Sequence, residues 1–424
     1  MPKFEPKPIW LLFSSVFFDS VGYGMLIPIY FSIFQNPSSE FRFFEGNGAT
    51  GAIIYNLILA TFSVSQFFAT PILGQLSDKF GRKKILSFSL FGTLASHILF
   101  ILGIVFRFLP LIFVARICDG LTGGNLSVVQ AGVGDLSKDK KQKDANFALI
   151  GVALATGNII GPFFGSILVE HYFLAPSIFV ICFALSNFFL IQTKLNLPHN
   201  NEQSKLKIDW SESLDNLLLA LKLKKFRTLL VTNFLFQLGF AFFTTIAIPF
   251  FVTKYGFRES TATYFVAIMA LSGILGQLFL RFLKLHIANS KLLIGSLIGS
   301  SFSILFFLVA NKTQFLGINN FWIIAVSVLF GIFVTQAQIS IISLVAEQGE
   351  TDTQGQFLGT NTSVQAFAQA IPPIFTALLI AFIAKIFSFD TAISGNINSI
   401  FVGISAISIS LSLAYYYLKQ KKYT

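Results

Sequence analysis

Apolar residues run along this chain in long blocks, each about a bilayer's worth of helix and each closed by a short polar turn. Twelve blocks can be marked, with approximate cores at 8–34, 50–73, 84–106, 109–133, 145–169, 172–194, 228–253, 261–285, 291–310, 320–346, 357–388 and 393–418. The blocks are apolar all round rather than striped, which does not suit helices with one face in water. Their length matches the hydrocarbon thickness of a membrane, so the pattern predicts twelve transmembrane helices. The expected fold class is an all-α polytopic membrane protein. The first block is too long and too polar in its middle for a cleaved signal peptide and is expected to be retained.

The longest polar interruption divides the blocks six and six. It predicts an N-terminal six-helix bundle over 1–194, a cytoplasmic linker over 195–227 and a C-terminal six-helix bundle over 228–424. In the linker, Trp210, Leu214, Leu217, Leu218 and Leu221 share one helical face, the pattern of an amphipathic helix lying on the membrane surface. The halves echo each other. ILGQL occurs at Ile72–Leu76 and again at Ile274–Leu278, and GNIIGPFFGSIL in the fifth block aligns with AQAIPPIFTALL in the eleventh. Two echoes at corresponding blocks indicate duplication. Paired repeats suggest alternating access, with one bundle rocking against the other around a midplane site.

Composition narrows the class further. Charged residues make up 12% of the chain, about half the usual share of a soluble protein. The net charge of +11 reads as topology rather than as a nucleic-acid footprint. With the N-terminus inside, the inner segments hold 23 Lys and Arg and the outer segments 6. Both termini are therefore expected on the cytoplasmic side of the inner (cytoplasmic) membrane. Cys118 and Cys182 lie in separate blocks and form no metal or disulfide pattern. No phosphate-binding loop, metal cluster or nucleophile triad is visible, so neither an enzyme nor a cofactor is expected, and any transport is secondary. No ring of like charges suggests a channel.

Charges inside membrane spans are costly and mark function. Three clear cases occur: Asp19 in the first span, and Arg116 and Asp119 in the fourth. Arg116 and Asp119 are three apart and share a helix face. If the two spans meet there, one guanidinium is shared by two carboxylates. With both acids ionised the cluster is net negative, and one added proton neutralises it, which makes a proton switch. The alternative is a static ion pair that fixes helix packing. His97 in the third span reads as a hydrogen-bonded packing histidine in preference to a proton relay.

Amide and aromatic side chains within the spans supply a candidate substrate cavity. Asn361, Gln365 and Gln369 recur every four residues as one polar stripe. Tyr23, Asn158, Gln237 and Gln336 complete the set, and Gln66, Asn125, Gln130, Asn233 and Gln338 are further polar residues inside spans. Such side chains face the bundle interior, as interhelical glue or as cavity wall. A cavity rich in amides and Phe suits amphipathic, aromatic or lipophilic solutes better than sugars or multiply charged anions.

The charged stretch GQLSDKFGRKK, Gly74–Lys84, lies between the second and third blocks. It resembles the signature loop G-x-L-a-D-r-x-G-r-k of the major facilitator superfamily. Arg116–Gly120, RICDG, is similar to that family's fourth-span R-x-x-x-G motif. Gly157–Ser166, GNIIGPFFGS, resembles the fifth-span motif of its twelve-span drug:proton antiporters, with Ser166 in place of the last glycine. FFDSVGYGMLIP around Asp19 looks like the first-span motif with its embedded acid. The resemblance covers nearly the whole chain, although its motifs all lie in the first half.

It implies the major facilitator fold, two bundles of six helices, and a proton-coupled exporter of small lipophilic or amphipathic compounds such as drugs. Asp19 would carry the proton, with Arg116 and Asp119 as its partners. The alternative is a proton-coupled metabolite or nutrient permease of the same superfamily. Expected partners are a small-molecule substrate, protons and lipid, with no nucleic acid and a monomeric working unit.

Two motifs have their own physical reading. Gly157, Gly161 and Gly165 recur every four residues and allow close backbone approach, while Pro162 removes one helix hydrogen bond. In the charged stretch, Gly74 is expected to let the second span approach the eleventh, where Asp78 would face the helix start near Gly359. Arg82 would reach Asp135, and with Gly81 these residues would form a latch on the inner side.

Overall fold

The computed structural model describes residues 8–420, apart from 37–38, 45–47, 138–139, 196, 198–223, 283–287, 311–313, 316–317, 349–353 and 387–390. The amphipathic segment Trp210–Leu221 lies outside the described residues. The first half contains α1 (Pro8–Phe34), α2 (Gly48–Phe80), α3 (Arg82–Val105), α4 (Leu109–Thr122), α5 (Asn125–Leu136), α6 (Lys140–His171) and α7 (Ala175–Lys194). The second contains α8 (Lys224–Tyr255), α9 (Glu259–Phe282), α10 (Asn289–Val309), α11 (Phe321–Ala346), α12 (Gln354–Ile386) and α13 (Thr391–Gln420). A hairpin of two residues per strand, β1 (Gln314–Phe315) and β2 (Ile318–Asn319), sits between α10 and α11.

Among the described residues, eleven helical segments are long and apolar enough to cross a membrane, and α4 with α5 counts as one of them. At the eighth position α9 contributes a shorter apolar stretch, Thr261–Gln277, within a 24-residue helix. The order of twelve spans is thus kept, and the protein is a multi-pass helical membrane protein. Helix pairing repeats between the halves. α1 packs on α6 as α8 packs on α12, and α2 packs on α4 as α9 packs on α11. Likewise α3 packs on α4 and α7 as α10 packs on α11 and α13. Across the halves α2 meets α12 and α6 meets α9, which are the same pair of positions exchanged.

Two local features depart from the block pattern. The charged stretch is not a loop. α2 continues through Asp78 and Lys79 to Phe80, and α3 begins at Arg82, so Gly81 alone forms the corner. Its φ of 92° and ψ of 139° are accessible to glycine and strained for any residue with a β-carbon. Placing the charges on two helix ends fixes their directions, as a flexible loop cannot.

The fourth span is also interrupted. α4 stops at Thr122 and α5 starts at Asn125, with Gly123 and Gly124 between them. Two consecutive glycines hold a helix poorly. Here α2 presses against the gap: a β-carbon on Gly124 would lie 2.8 Å from Thr70 Cα, and one on Gly120 would lie 2.5 Å from the Phe62 carbonyl oxygen.

Candidate functional site

A central cavity of about 220 Å³ lies between the halves, walled by α1, α2, α5 and α6 on one side and α8, α9, α11 and α12 on the other. Much of the wall is aromatic or aliphatic, with Tyr23, Phe62, Phe240, Phe243 and Phe330 among its members. Phe243 and Phe330 are themselves packed together within the second half, their rings tilted and their centroids 4.7 Å apart. Asp19 is the one charged side chain on the wall. Among the described residues no cation lies within ion-pair distance of it.

Arg116 does not join Asp19. Its Nη1 donates to Asp119 Oδ2 at 2.7 Å, and Asp119 Oδ1 accepts from Ser96 Oγ at 3.3 Å. The guanidinium is 1% exposed and sits against the rings of Phe62, Tyr30 and Tyr23, with centroids at 4.4, 5.1 and 5.6 Å. Desolvated guanidinium–ring contacts of this kind are worth about 2 kcal/mol or more. The expected sharing of Arg116 by two carboxylates is therefore corrected. Asp119, on the same helix three residues on, is the partner that geometry favours, and Tyr23 and Phe62 stand between the pair and the cavity. Among the described residues Arg116 Nε and Nη2 are buried without a hydrogen-bond partner. His97 is buried as well, but its Nδ1 has no hydrogen-bond partner, so the expected satisfied histidine is not found.

The amide assignments divide. Tyr23, Asn158, Gln365 and Gln369 line the cavity. Asn361 does not: its Oδ1 accepts from Asn233 Nδ2 at 2.8 Å, which makes it glue between α12 and α8. Gln336 turns away and donates from Nε2 to Ser340 Oγ at 2.9 Å. Two residues along a helix correspond to about 200° of rotation, so Gln338 takes the wall position instead. Gln237 is buried one turn before Ala241, the cavity residue on its side of α8. Gln66, Asn125, Thr244, Thr335 and Thr362 are wall residues outside the expected set. Gln66 and Asn125 carried the polar-in-span signal that could have placed them; the threonines, common in membrane helices, carried none.

The corner at Gly81 carries a compact ion-pair cluster. Arg82 Nη1 pairs with Asp78 and donates to Ser77 Oγ at 2.5 Å, while Nε donates to Asp135 Oδ2 at 3.2 Å. One side chain thereby ties the end of α2 to the end of α5. Among the described residues a β-carbon on Gly74 would meet Ser127 of α5, at 3.6 Å. That is ordinary contact distance. The side chains at the start of α12 through Gly359 lie outside the described residues, and with them the expected facing of Asp78.

The α1–α6 seam is closer than side chains allow. β-Carbons on Gly157, Gly161 and Gly165 would lie 2.7 Å from the Phe17 carbonyl oxygen, 2.5 Å from that of Val21 and 2.6 Å from that of Met25. Pro162 belongs to both seam and cavity: α6 runs unbroken through it, and its ring packs where a β-carbon on Gly24 would stand.

Residues 9–373 match the profile described as Major Facilitator Superfamily. The chain belongs to this superfamily. It is accordingly a membrane transporter and not an enzyme. Tetracycline resistance protein, class H, of Pasteurella multocida is 24% identical over 386 residues, covering 89% of this chain and 90% of that one. Multidrug resistance protein 1 of Bacillus subtilis is 25% identical over 328 residues, covering 74% and 79%. Quinolone resistance protein NorA of Staphylococcus aureus is 25% identical over 382 residues, covering 88% and 90%. Among solved structures, the human organic anion transporter MFSD10 (TETRAN) superposes with a TM-score of 0.72 at 19% identity, over 96% of this chain and all of that one. That likeness is one of fold.

Proposed function

We propose that this superfamily member is a proton-coupled exporter of small lipophilic or amphipathic compounds, drugs among them, working by alternating access as a monomer. It would lie in the cytoplasmic membrane with both termini inside, as its Lys and Arg distribution favours. The observation that carries the reading is Asp19, an unpaired carboxylate on the wall of an otherwise uncharged, aromatic cavity between two repeated halves. A carboxylate so placed can exchange a proton for substrate as the cavity faces each side in turn. The resistance proteins named above support the substrate class.

Direction of flux is the test. Inverted vesicles with an acidified lumen are expected to accumulate a fluorescent lipophilic drug, and to release it when the pH gradient is collapsed. Drug leaving such vesicles together with protons would instead identify a symporting permease.

Arg82 is assigned the latch that stabilises one end state, since it binds Asp78 and Asp135 from different spans. Salt bridges this exposed contribute little to stability by themselves, so the latch acts on conformational balance. Asp78→Asn is expected to cut turnover severalfold while drug affinity in detergent stays within about twofold, a shift worth under 1 kcal/mol. Unchanged turnover would reduce the cluster to a topological anchor.

A further inference from the structure

The break in the fourth span leaves hydrogen-bond donors beside the cavity. In an unbroken helix the N–H groups of Gly124, Asn125 and Leu126 bond to carbonyls four residues back. The backbone bonds formed here run from Gly123 N–H to the Asp119 carbonyl at 2.7 Å and from Ser127 N–H to the Gly124 carbonyl at 3.4 Å. The Gly124 N–H, between them, has no backbone acceptor among the described residues. Gly123, Asn125 and Leu126 all line the cavity. α2 braces the gap: Gln66 Nε2 donates to the Gly123 carbonyl at 2.9 Å, and Ser127 Oγ donates to the Thr70 carbonyl at 2.8 Å.

A second observation points the same way. Asn125 is 2% exposed, and its Nδ2 has no acceptor. Irregular backbone at membrane depth is tolerated where it lines a cavity, and unpaired donors there are expensive unless a ligand meets them. α5 continues for twelve residues beyond the break, so the positive end of its dipole adds to the donors.

We propose that this break is a substrate subsite, in which the Nδ2 of Asn125, with the Gly124 N–H and the positive end of α5 beside it, receives a carbonyl or carboxylate oxygen of the transported molecule. The proposal rests on reading the cavity as the substrate site. It narrows the substrates to lipophilic molecules carrying an acceptor oxygen, with the rings of Phe240, Phe243 and Phe330 taking the apolar part. Serine and threonine hydroxyls elsewhere in the spans mostly bond back to their own helix, as Ser300 and Thr232 do, and leave nothing free for a ligand. The Asn125 Nδ2 differs in having no acceptor among the described residues.

The test uses purified full-length protein and two probes of one skeleton, benzophenone and diphenylmethane, which differ in a carbonyl against a methylene. Wild type is expected to prefer benzophenone by about fivefold to tenfold, the worth of one neutral hydrogen bond. Asn125→Leu, similar in size but without donors, is expected to shrink that preference, and Asn125→Asp to abolish it. Diphenylmethane should bind both variants as it binds wild type, which also reports that they are folded. Thr244→Trp, filling the opposite wall, should block both probes. If Thr244→Trp binds both probes normally, the cavity reading falls and this proposal with it. If Thr244→Trp blocks both but wild type shows no ketone preference, or both Asn125 variants keep it, the subsite alone is overturned.

Discussion

Asp19→Asn is expected to abolish uphill, proton-driven efflux while leaving expression, folding and passive exchange in place. The side chain lines the cavity and has no cation within ion-pair distance among the described residues, so removing its charge orphans no partner. Asparagine is nearly isosteric and stays neutral at every pH, which holds the site in the state the protonated acid would have. Each pH unit across the membrane stores about 1.4 kcal/mol per proton, a tenfold concentration ratio, and a carrier that cannot change protonation cannot use it. Transport driven by a pH gradient should therefore vanish in inverted vesicles, whereas substrate counterflow, which needs no net proton movement, should persist. Uphill efflux at the wild-type level by Asp19→Asn would remove this carboxylate from the mechanism.

The comparable change at Arg116 would read out something else. That guanidinium is committed to Asp119 and to three aromatic rings, so its loss would leave a buried carboxylate unpaired and would confound coupling with folding. The separation of Asp19 from the Arg116–Asp119 pair is thus what makes a clean test available. It also sets a mechanistic question for the transporter: the Nε and Nη2 of Arg116, without hydrogen-bond partners among the described residues, are donors that a rearrangement of α1 against α4 could offer to Asp19.

The spans were legible in the sequence because membrane insertion integrates hydrophobicity over some twenty residues, and an error of a few residues at either end changes nothing. The cavity wall was legible only in part, because it depends on helix rotation and depth. Gln336 and Gln338 are equally polar, yet a 200° difference in direction puts one in a bond to Ser340 and the other on the wall. Asn361, Gln365 and Gln369 do share a face, but at the depth of Asn361 it is Thr362 that lines the wall, and Asn361 meets Asn233 instead. The charged stretch between the second and third spans showed its charges and glycines plainly. What composition could not show was that helix continues to within one residue of the corner, so that Gly81 is required by its backbone.

Gly161→Ala is expected to be strongly destabilising. The β-carbon it adds would lie 2.5 Å from the Val21 carbonyl oxygen and 2.9 Å from Gly24 Cα, atoms of the α1 backbone with no rotamer to escape into. Overpacking commonly costs about 1–3 kcal/mol when side chains can shift; against backbone on a seam with Gly157 and Gly165 at the same spacing, the upper end of that range or beyond is expected. Because α1 also carries Asp19, pushing it away from α6 displaces the carboxylate along with the wall. Gly295→Ala is the matched control: it lies mid-helix in α10, and a β-carbon there would meet nothing within 4 Å. Thermal unfolding of the two purified variants should separate by several degrees, with Gly295→Ala at or slightly above wild type. A Gly161→Ala protein with wild-type stability would mean that the seam is loose enough to take a methyl group. The glycine spacing of the fifth span would then owe nothing to its packing on the first, and would have to be explained by movement of α6 during transport alone.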